Sequence, residues 1–203
     1  SYTRSLTLAV TNVNEAPVSL SLADAGAEGQ AENAAAGTVI GTLSSSDVDS
    51  GDSFTYSLVE GEGGVDADNG LVEIVGNEVR VKSGAVIDHE TNPILNLNIR
   101  TTDAGGLSYT RSLTLAVTNV NEAPTVAHAV VDQSATEDTA FSFQVPANTF
   151  ADVDAGDTLT YTATLANGSA LPGWLSFDAG TRTFRGTPVN GDVGTISVTV
   201  TAT

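Results

Sequence analysis

The sequence predicts an all-β protein made of two antiparallel β-sandwiches in tandem. Three observations lead to this prediction: the length of 203 residues, a long internal repeat, and short segments in which apolar and polar residues alternate. Because a single hydrophobic core usually spans about 100 to 150 residues, this length favours two domains. No stretch of ten or more residues has helical periodicity, so we expect a helix content near zero.

The internal repeat sets the domain organisation. Residues 1–17 (SYTRSLTLAVTNVNEAP) recur letter for letter at 108–124, a period of 107 residues from position 1 to position 108. A period near 100 is typical of separately cored domains joined by short linkers. We therefore expect a last strand of a preceding repeat at 1–11, a linker at 12–17, one domain at 18–118, a second linker at 119–124, and at 125–203 a second domain that lacks its last strand.

Apolar residues with a period of two mark the strands of both domains. In the first part of the chain they are Leu6, Leu8 and Val10; Phe54, Tyr56 and Leu58; Val79 and Val81; Leu95, Leu97 and Ile99; and Leu113, Leu115 and Val117. The alternation continues at 141–145, 159–161, 175–177, 183–184 and 196–200. Turn dipeptides such as Ser50-Gly51, Asn69-Gly70, Gly76-Asn77 and Gly105-Gly106 separate the segments. Half-buried strands joined by tight turns predict an all-antiparallel sandwich.

Charge and composition exclude several classes of function. With 7 Lys and Arg against 25 Asp and Glu, the net charge of −18 disfavours nucleic acid and anionic membranes as partners. The absence of Cys excludes disulfides, thiolate metal sites and cysteine nucleophiles. No apolar run reaches the roughly 18 to 20 residues that cross a bilayer, and no signal peptide precedes the repeat, so we expect no direct membrane insertion and an excerpt of a longer chain.

The acidic residues concentrate in turns. The segments 47–52 (DVDSGD) and 152–157 (DVDAGD) each place three carboxylates around a Gly turn. Such carboxylates repel one another unless a hard cation lies among them, and Ca²⁺ accepts six to eight oxygen ligands with flexible geometry. The spacing excludes an EF-hand. Taken alone, each segment is equally consistent with a solvated acidic loop.

Further short motifs accompany these turns in a fixed order. They are Glu32-Asn33, then the 47–52 turn, then Ile87-Asp88-His89-Glu90, then Thr102-Asp103-Ala104-Gly105, and finally a linker that ends in Ala-Pro. Over residues 18–124 this order resembles the cadherin repeat. Residues 125–203 are similar to the bacterial dystroglycan-type cadherin-like domain through FADVDAGD, LTYTATLANGSALPGWLSFDAGTRTFRGTP and VTVTAT. The resemblance implies tandem Ig-like or cadherin-like Greek-key sandwiches.

In the cadherin family, calcium lies at the junction between successive domains. For the junction between the two domains, the resemblance implies Glu32, Asp88, Glu90, Asn119, Asn121, Glu122, Asp152, Asp154 and Asp157 as ligands. For the junction before the first domain, it implies a partial site of Asn12, Asn14, Glu15, Asp47, Asp49 and Asp103. The linker NVNEAP is shorter and less charged than the animal cadherin linker DxNDNAP, which predicts fewer or weaker ions.

The resemblance implies a calcium-stiffened extender segment of a secreted or cell-surface bacterial adhesin with a membrane-associated parent protein. The alternative is a calcium-dependent carbohydrate- or protein-binding module. The expected partners are neighbouring repeats of the same polypeptide, with homophilic or polysaccharide contact as further partners. An enzyme is disfavoured because His89 and His128 are isolated, and only 5% of residues are aromatic. Trp174 lies between Leu residues and is interpreted as a core residue.

Residues 1–11 carry the pattern of a strand without its own domain, and the second domain lacks a last strand. We therefore weigh two alternatives: residues 1–11 pair with the open sheet edge of another copy and form head-to-tail assemblies, or they form a frayed tail.

Overall fold

The computed structural model describes residues 2–24, 26 and 29–203. The chain divides into two compact units, Ser1–Val120 (unit 1) and Asn121–Thr203 (unit 2). The finer domain boundaries, and the assignment of residues 1–11 to a preceding repeat, stay a prediction. The described residues contain no α-helix and only two 3-10 turns, Asn69–Leu71 and Asn190–Asp192. Neither turn has the length or the hydropathy that a membrane span needs.

Unit 1 is a sandwich of two four-stranded sheets. Its strands are β1 (Ser19–Asp24), β2 (Gln30–Ala31), β3 (Val39–Ser46), β4 (Thr55–Leu58), β5 (Val72–Val75), β6 (Glu78–Val81), β7 (Ile94–Thr102) and β8 (Ser108–Thr118). One sheet has the order β1-β3-β6-β5 and the other the order β2-β8-β7-β4. This architecture confirms the predicted sandwich fold.

One strand pair in unit 1 differs from the predicted all-antiparallel arrangement. The short strand β2 pairs in parallel with the end of β8, with Gln30 opposite Val117 and Ala31 opposite Thr118. After β1 the chain leaves the first sheet and joins the second one along the edge of its longest strand. The alternating pattern cannot predict strand direction because both directions place side chains on alternate faces.

The core of unit 1 consists of aliphatic side chains between the two sheets. The buried set is Leu20, Ile40, Leu43, Val72, Val79, Val81, Ile87, Leu95, Leu97, Ile99, Leu115 and Val117. Most of these residues belong to the strands that the period-two pattern predicts. Their burial positions the acidic turns, because each turn connects or flanks strands that the core holds in place.

Residues 2–11 do not form the half-buried strand that their sequence predicts. The described residues 2–17 contain no strand, and Leu6, Leu8 and Val10 are 91%, 82% and 89% exposed. The same letters at 109–118 belong to β8, which pairs with β7 from Ser108 to Ala116. Residues 2–11 have no paired strand among the described residues, and a strand needs a neighbour that satisfies its backbone groups. Their assignment as the last strand of a preceding repeat therefore stays a prediction. Residue 1 lies outside the described residues.

Unit 2 is an all-β unit made of smaller sheets. Its strands are β9 (Thr125–Val126), β10 (Phe141–Gln144), β11 (Phe150–Ala151), β12 (Tyr161–Leu165), β13 (Leu175–Asp178), β14 (Thr183–Gly186) and β15 (Val198–Ala202). The sheets are β10-β14-β13, β11-β9 and β12-β15, all antiparallel. Buried Val145, Leu175 and Phe184 form a small core. Trp174 packs against this core, in agreement with its interpretation as a core residue.

Candidate metal centre

The linker at the start of unit 1 is attached to the acidic turn that follows β3. The side-chain amide of Asn12 donates to Asp49 Oδ1, and the backbone N–H of Glu15 donates to Asp49 Oδ2 at 2.9 Å. Pro17, at the end of the linker, is buried, and Val18 donates to the carbonyl of Ser46 at 2.9 Å. Asp49 therefore connects two parts of unit 1 that are more than 30 residues apart in sequence.

The turn itself gathers three carboxylates. The backbone N–H of Asp49 donates to Asp47 Oδ1 at 3.1 Å, and Gly51 has a φ of +92°, a left-handed conformation that favours glycine. This geometry turns Asp52 back toward the first two acids. One carboxylate oxygen from each of Asp47, Asp49 and Asp52 lies within 4.8 Å of the others.

Asp103 lies beside the same linker from the loop between β7 and β8. Its Oδ1 accepts the backbone N–H of Leu107 at 2.8 Å, and its Oδ2 accepts the side-chain amide of Asn14 at 3.0 Å. Gly105 in this loop leaves the space that Asn14 occupies, since a Cβ at position 105 would overlap the side-chain amide of Asn14. The predicted partial set of Asn12, Asn14, Glu15, Asp47, Asp49 and Asp103 thus lies together in unit 1.

The carboxylates of this cluster shift one another's pKa values because they lie close together. Desolvation raises the pKa of Asp52, and the negative charges of Asp47, Asp103 and Asp49 raise it further. Desolvation and the charge of Asp49 likewise raise the pKa of Glu15. The hydrogen bonds from Asn12 and from the Glu15 N–H lower the pKa of Asp49. The cluster therefore holds more negative charge than its hydrogen bonds compensate.

Two oxygens of this cluster are buried without a hydrogen-bond partner, Asp47 Oδ2 and Asp52 Oδ2. A buried carboxylate oxygen without a partner carries a desolvation penalty that a cation would remove. The burial of these two oxygens without a partner distinguishes the cluster from a solvated acidic loop. Asp52 was not among the predicted ligands of unit 1, although its counterpart Asp157 was, and the shared DxDxGD spacing is the signal that would have found it.

A second group of predicted ligands in unit 1 consists of Glu32, Asp88, Glu90 and Asn119. Glu32 is buried; its Oε2 accepts the N–H of His89 at 2.8 Å, and its Oε1 accepts the N–H of Val120 at 2.7 Å. These two hydrogen bonds lower the pKa of Glu32, with a smaller contribution from a side-chain hydrogen bond to Glu90. Asp88 Oδ1 accepts the N–H of Thr91 at 3.2 Å. Asn119 follows β8 and is exposed.

Unit 2 repeats the contact between linker and turn with its own residues. The N–H of Glu122 donates to Asp154 Oδ2 at 2.8 Å, as Glu15 does to Asp49, and the N–H of Asp154 donates to Asp152 Oδ1 at 3.2 Å. Asp154 is buried, whereas Asp157 is exposed. A shallow depression is lined by Asn121, Glu122, Asp152 and Asp157, among others. The linker–turn hydrogen bonds are thus the same in both units, but Asp157 is exposed whereas its counterpart Asp52 has a buried carboxylate oxygen.

Another buried acid, Asp68, has a structural environment. Its Oδ1 accepts the side-chain amide of Asn92 at 2.6 Å, and its Oδ2 accepts the backbone N–H of Asn96 at 2.7 Å. These contacts tie the long β4–β5 connection to β7. Every oxygen of this carboxylate has a donor, in contrast to Asp47 and Asp52, so we assign Asp68 a role in stability.

Comparison with known proteins agrees with this fold. Residues 123–203 match the family model described as "Putative Ig domain". Human cadherin-related family member 2 is 33% identical over 99 residues, which cover 47% of this chain and 7% of that protein. The chain thus spans a small fraction of the curated relative that it matches. None of these descriptions names a catalytic family.

Solved structures with a similar fold are cadherin extracellular repeats. Protocadherin gamma B2 domains 3–6 superpose with a TM-score of 0.51 at 22% identity, covering 91% of this chain and 48% of that one. Mouse cadherin-23 EC22–24 gives a TM-score of 0.54 at 21% identity, with 90% and 59% covered. Human protocadherin-24 EC1–2 gives a TM-score of 0.54 at 14% identity, with 85% and 88% covered. The chain is therefore all-β, with a fold similar to cadherin repeats and, in its second unit, a match to an Ig-like domain family.

Proposed function

We propose that this chain is a calcium-stiffened extender segment of a secreted or cell-surface bacterial adhesin. The observation that carries the proposal is the triad of Asp47, Asp49 and Asp52, whose carboxylate oxygens lie within 4.8 Å of one another beside an anchored linker. Two of the oxygens in this triad are buried and have no hydrogen-bond donor. A divalent cation resolves both the repulsion and the missing partners.

Calcium suits this donor set better than other metals. All available ligand atoms are carboxylate or amide oxygens, and the chain has no Cys. Ca²⁺ is a hard cation that takes six to eight oxygens, whereas zinc prefers nitrogen and sulfur in tetrahedral sites. Asn12, Asn14, Glu15 and Asp103 surround the triad and supply further oxygens. We therefore assign the unit 1 site to these residues, with Asp52 added to the predicted set.

We extend the proposal to the remaining predicted ligands. These are Glu32, Asp88, Glu90 and Asn119 of unit 1, and Asn121, Glu122, Asp152, Asp154 and Asp157 of unit 2. The supporting observation is that the linker–turn contact of Glu122 and Asp154 reproduces the contact of Glu15 and Asp49. We infer that this second set binds calcium by the same chemistry.

The proposed mechanism is mechanical. Calcium neutralises the carboxylates where a linker meets its unit and restrains the linker backbone that Asp49 already holds. Restraint at each linker converts a string of sandwiches into a stiff rod, in which neighbouring repeats of the same polypeptide are the partners. Extracellular calcium modules bind at about 10⁻⁴ to 10⁻³ M, so the sites fill only outside the cell. The description of matched protocadherin domains as extracellular supports this location.

The proposed role is structural and not catalytic. The acidic turns bind their own linker, and the matched cadherin-related proteins offer no support for a polysaccharide ligand. The second unit is proposed to be of the dystroglycan-type cadherin-like class, on the basis of its match to an Ig-like family over residues 123–203.

Calcium titration by calorimetry, with small-angle scattering of the same sample before and after chelation, tests the proposal. We expect saturable binding in the millimolar range or tighter, and a longer, narrower particle with calcium. The Asp52→Asn variant should lose binding at the unit 1 site, whereas Glu62→Gln, an exposed acid in the β4–β5 connection, should bind like the wild type. The absence of binding at about 10 mM calcium would contradict the proposal.

A further inference from the structure

Unit 1 has an apolar groove between the edge strands of its two sheets. Strand β4 ends one sheet and β5 ends the other, and neither has a second neighbour among the described residues. The groove is lined by Phe54, Thr55, Tyr56, Ile74, Gly76 and Asn77. Tyr56 packs against the core of unit 1 but remains half-buried. In the described part of the chain, no aromatic ring or guanidinium contacts this tyrosine.

Unit 2 has an equivalent tyrosine that is covered by a cation. Tyr56 and Tyr161 each lie four residues after the last Asp of the acidic turn, on the strand that follows it. In unit 2 the guanidinium carbon of Arg182 lies 5.6 Å from the centroid of the Tyr161 ring. Arg182 Nε is buried and has no hydrogen-bond partner among the described residues, so the ring is the electrostatic partner of this cation.

The cation of unit 2 belongs to a hairpin turn that is shorter in unit 1. In the β5–β6 hairpin Val75 pairs with Glu78, which leaves a turn of two residues. In the β13–β14 hairpin Asp178 pairs with Thr183, which leaves a turn of four residues. Arg182 is the last of these four and has a φ of +54°, a left-handed conformation that is unfavourable for a residue other than glycine. The two-residue turn of unit 1 contains no cation, and it lines the groove beside Tyr56.

The sequence around the groove is acidic and contains no basic residue. Residues 47–78 include β4, β5 and the turn that lines the groove, and they carry nine Asp and Glu and no Lys or Arg. Two copies of the chain that met through this surface would bring like charges together, which disfavours a second copy as the occupant. A cationic group is favoured instead. Arginine suits the groove better than lysine, because its guanidinium is weakly hydrated and stacks on aromatic faces.

The open edge of β4 can bind the backbone of an extended segment. The N–H of Val59 donates to the carbonyl of Asn98 at 3.0 Å, in register with the β4–β7 pairing. Alternation along an antiparallel pair therefore turns the backbone groups of Tyr56 and Leu58 away from β7. These groups lie on the edge where a further strand can add.

We propose that the groove of unit 1 binds an extended, arginine-bearing segment of a partner protein. The segment adds to the edge of β4, and its guanidinium lies over Tyr56 as that of Arg182 lies over Tyr161. Unit 2 thus supplies from its own turn the group that unit 1 takes from a partner.

A titration followed by nuclear magnetic resonance tests the binding and its place. The probe is the peptide TVRVT, blocked at both ends, and the control is the same peptide with neutral citrulline in place of arginine. We expect the amide signals of Tyr56, Gly76 and Asn77 to shift saturably at millimolar peptide. The citrulline peptide should bind about fivefold more weakly, because it lacks the cation.

Two kinds of variant test the role of the tyrosine and of the turn. Tyr56→Leu keeps an apolar side chain without a ring, and it should weaken binding of the arginine peptide about fivefold. Replacing residues 76–77 by the four residues of 179–182 (AGTR) should bring an arginine to Tyr56 and abolish binding. The same graft ending in glutamine (AGTQ) has the same length without the cation, and it should still bind the peptide.

Three outcomes would overturn the proposal. They are equal affinities for the arginine and citrulline peptides, signal shifts confined to the acidic turn at 47–52, or equal effects of the AGTR and AGTQ grafts.

Discussion

The two copies of the repeated segment allow one substitution to be compared in two tertiary environments. Leu115 in β8 is 1% exposed and belongs to the core of unit 1, whereas Leu8, the same residue of the other copy, is 82% exposed. The local sequence around both is identical from 1–17 to 108–124. Any difference between Leu115→Ala and Leu8→Ala therefore measures tertiary burial alone.

The size of the effect follows from the burial. Leu115→Ala removes three carbon atoms from the core, which costs about 2.4 kcal/mol at about 0.8 kcal/mol per buried carbon. The cavity left between β8 and its neighbours raises the loss toward the range of roughly 3 to 5 kcal/mol measured for buried Leu. Leu8→Ala removes atoms that water already surrounds, so its cost should stay within about 0.5 kcal/mol.

Urea denaturation of chelated protein at low micromolar concentration measures both free energies of unfolding. Circular dichroism follows the whole chain, and the fluorescence of Trp174, which packs against the core of unit 2, reports on unit 2. We expect Leu115→Ala to shift the transition seen by circular dichroism and to leave the Trp174 transition in place. A loss below about 1 kcal/mol for Leu115→Ala, or equal losses for the two variants, would refute the assigned burial.

Two further predictions address the unit 1 metal site and a turn in unit 2. Gly105→Ala should displace the Asn14 side chain and weaken calcium binding about tenfold, or about 1.4 kcal/mol, in a calcium titration. The control Gly70→Ala, where a Cβ has open space, should bind calcium like the wild type. Equal calcium affinities of the two variants would contradict the steric argument. The N–H of Thr181 donates to Asp178 Oδ1 at 3.0 Å, and this hydrogen bond lowers the pKa of Asp178. The ionised carboxylate therefore stabilises unit 2 at pH values above its ordinary pKa of about 3.9. This stability is lost as the pH falls through the lowered pKa of the folded state. Asp178→Asn should therefore lower the urea midpoint of the Trp174 transition at pH about 7 and flatten its acid dependence; an unchanged pH profile would count against this assignment.

Much of the fold could be predicted from sequence patterns. The period-two positions of β6 and β7 are buried, and those of β4 and β8 are buried or half-buried, as predicted. The reason is that each strand of a two-layer sandwich turns alternate side chains toward the core. The acidic turns were also identifiable, since the DxDxGD spacing repeats in both halves of the chain. The parallel pairing of β2 with β8 was not predictable, because it depends on where the chain crosses between sheets.

The candidate site was predicted in composition but not in detail. The residue types at the linker and the turn indicated an oxygen-rich site, and unit 1 brings the predicted set of Asn12, Asn14, Glu15, Asp47, Asp49 and Asp103 together. The two buried oxygens without partners, on Asp47 and Asp52, depend on how closely the linker packs against the turn. The separation between the linker and the turn is a tertiary property, and the sequence alone does not give it.

By itself, the sequence determined the all-β class, the length of the repeating unit and the clustering of acidic residues in turns. Only the tertiary structure decided which copy of the repeated segment becomes a strand. Residues 109–118 lie in β8 because β7 accepts their backbone hydrogen bonds and the core accepts Leu115 and Val117. Residues 2–11 have the same intrinsic propensity and no neighbouring strand among the described residues, and they remain exposed. The physical reason is that a β-strand is stabilised by its partner and by the face that it buries, neither of which is local in sequence.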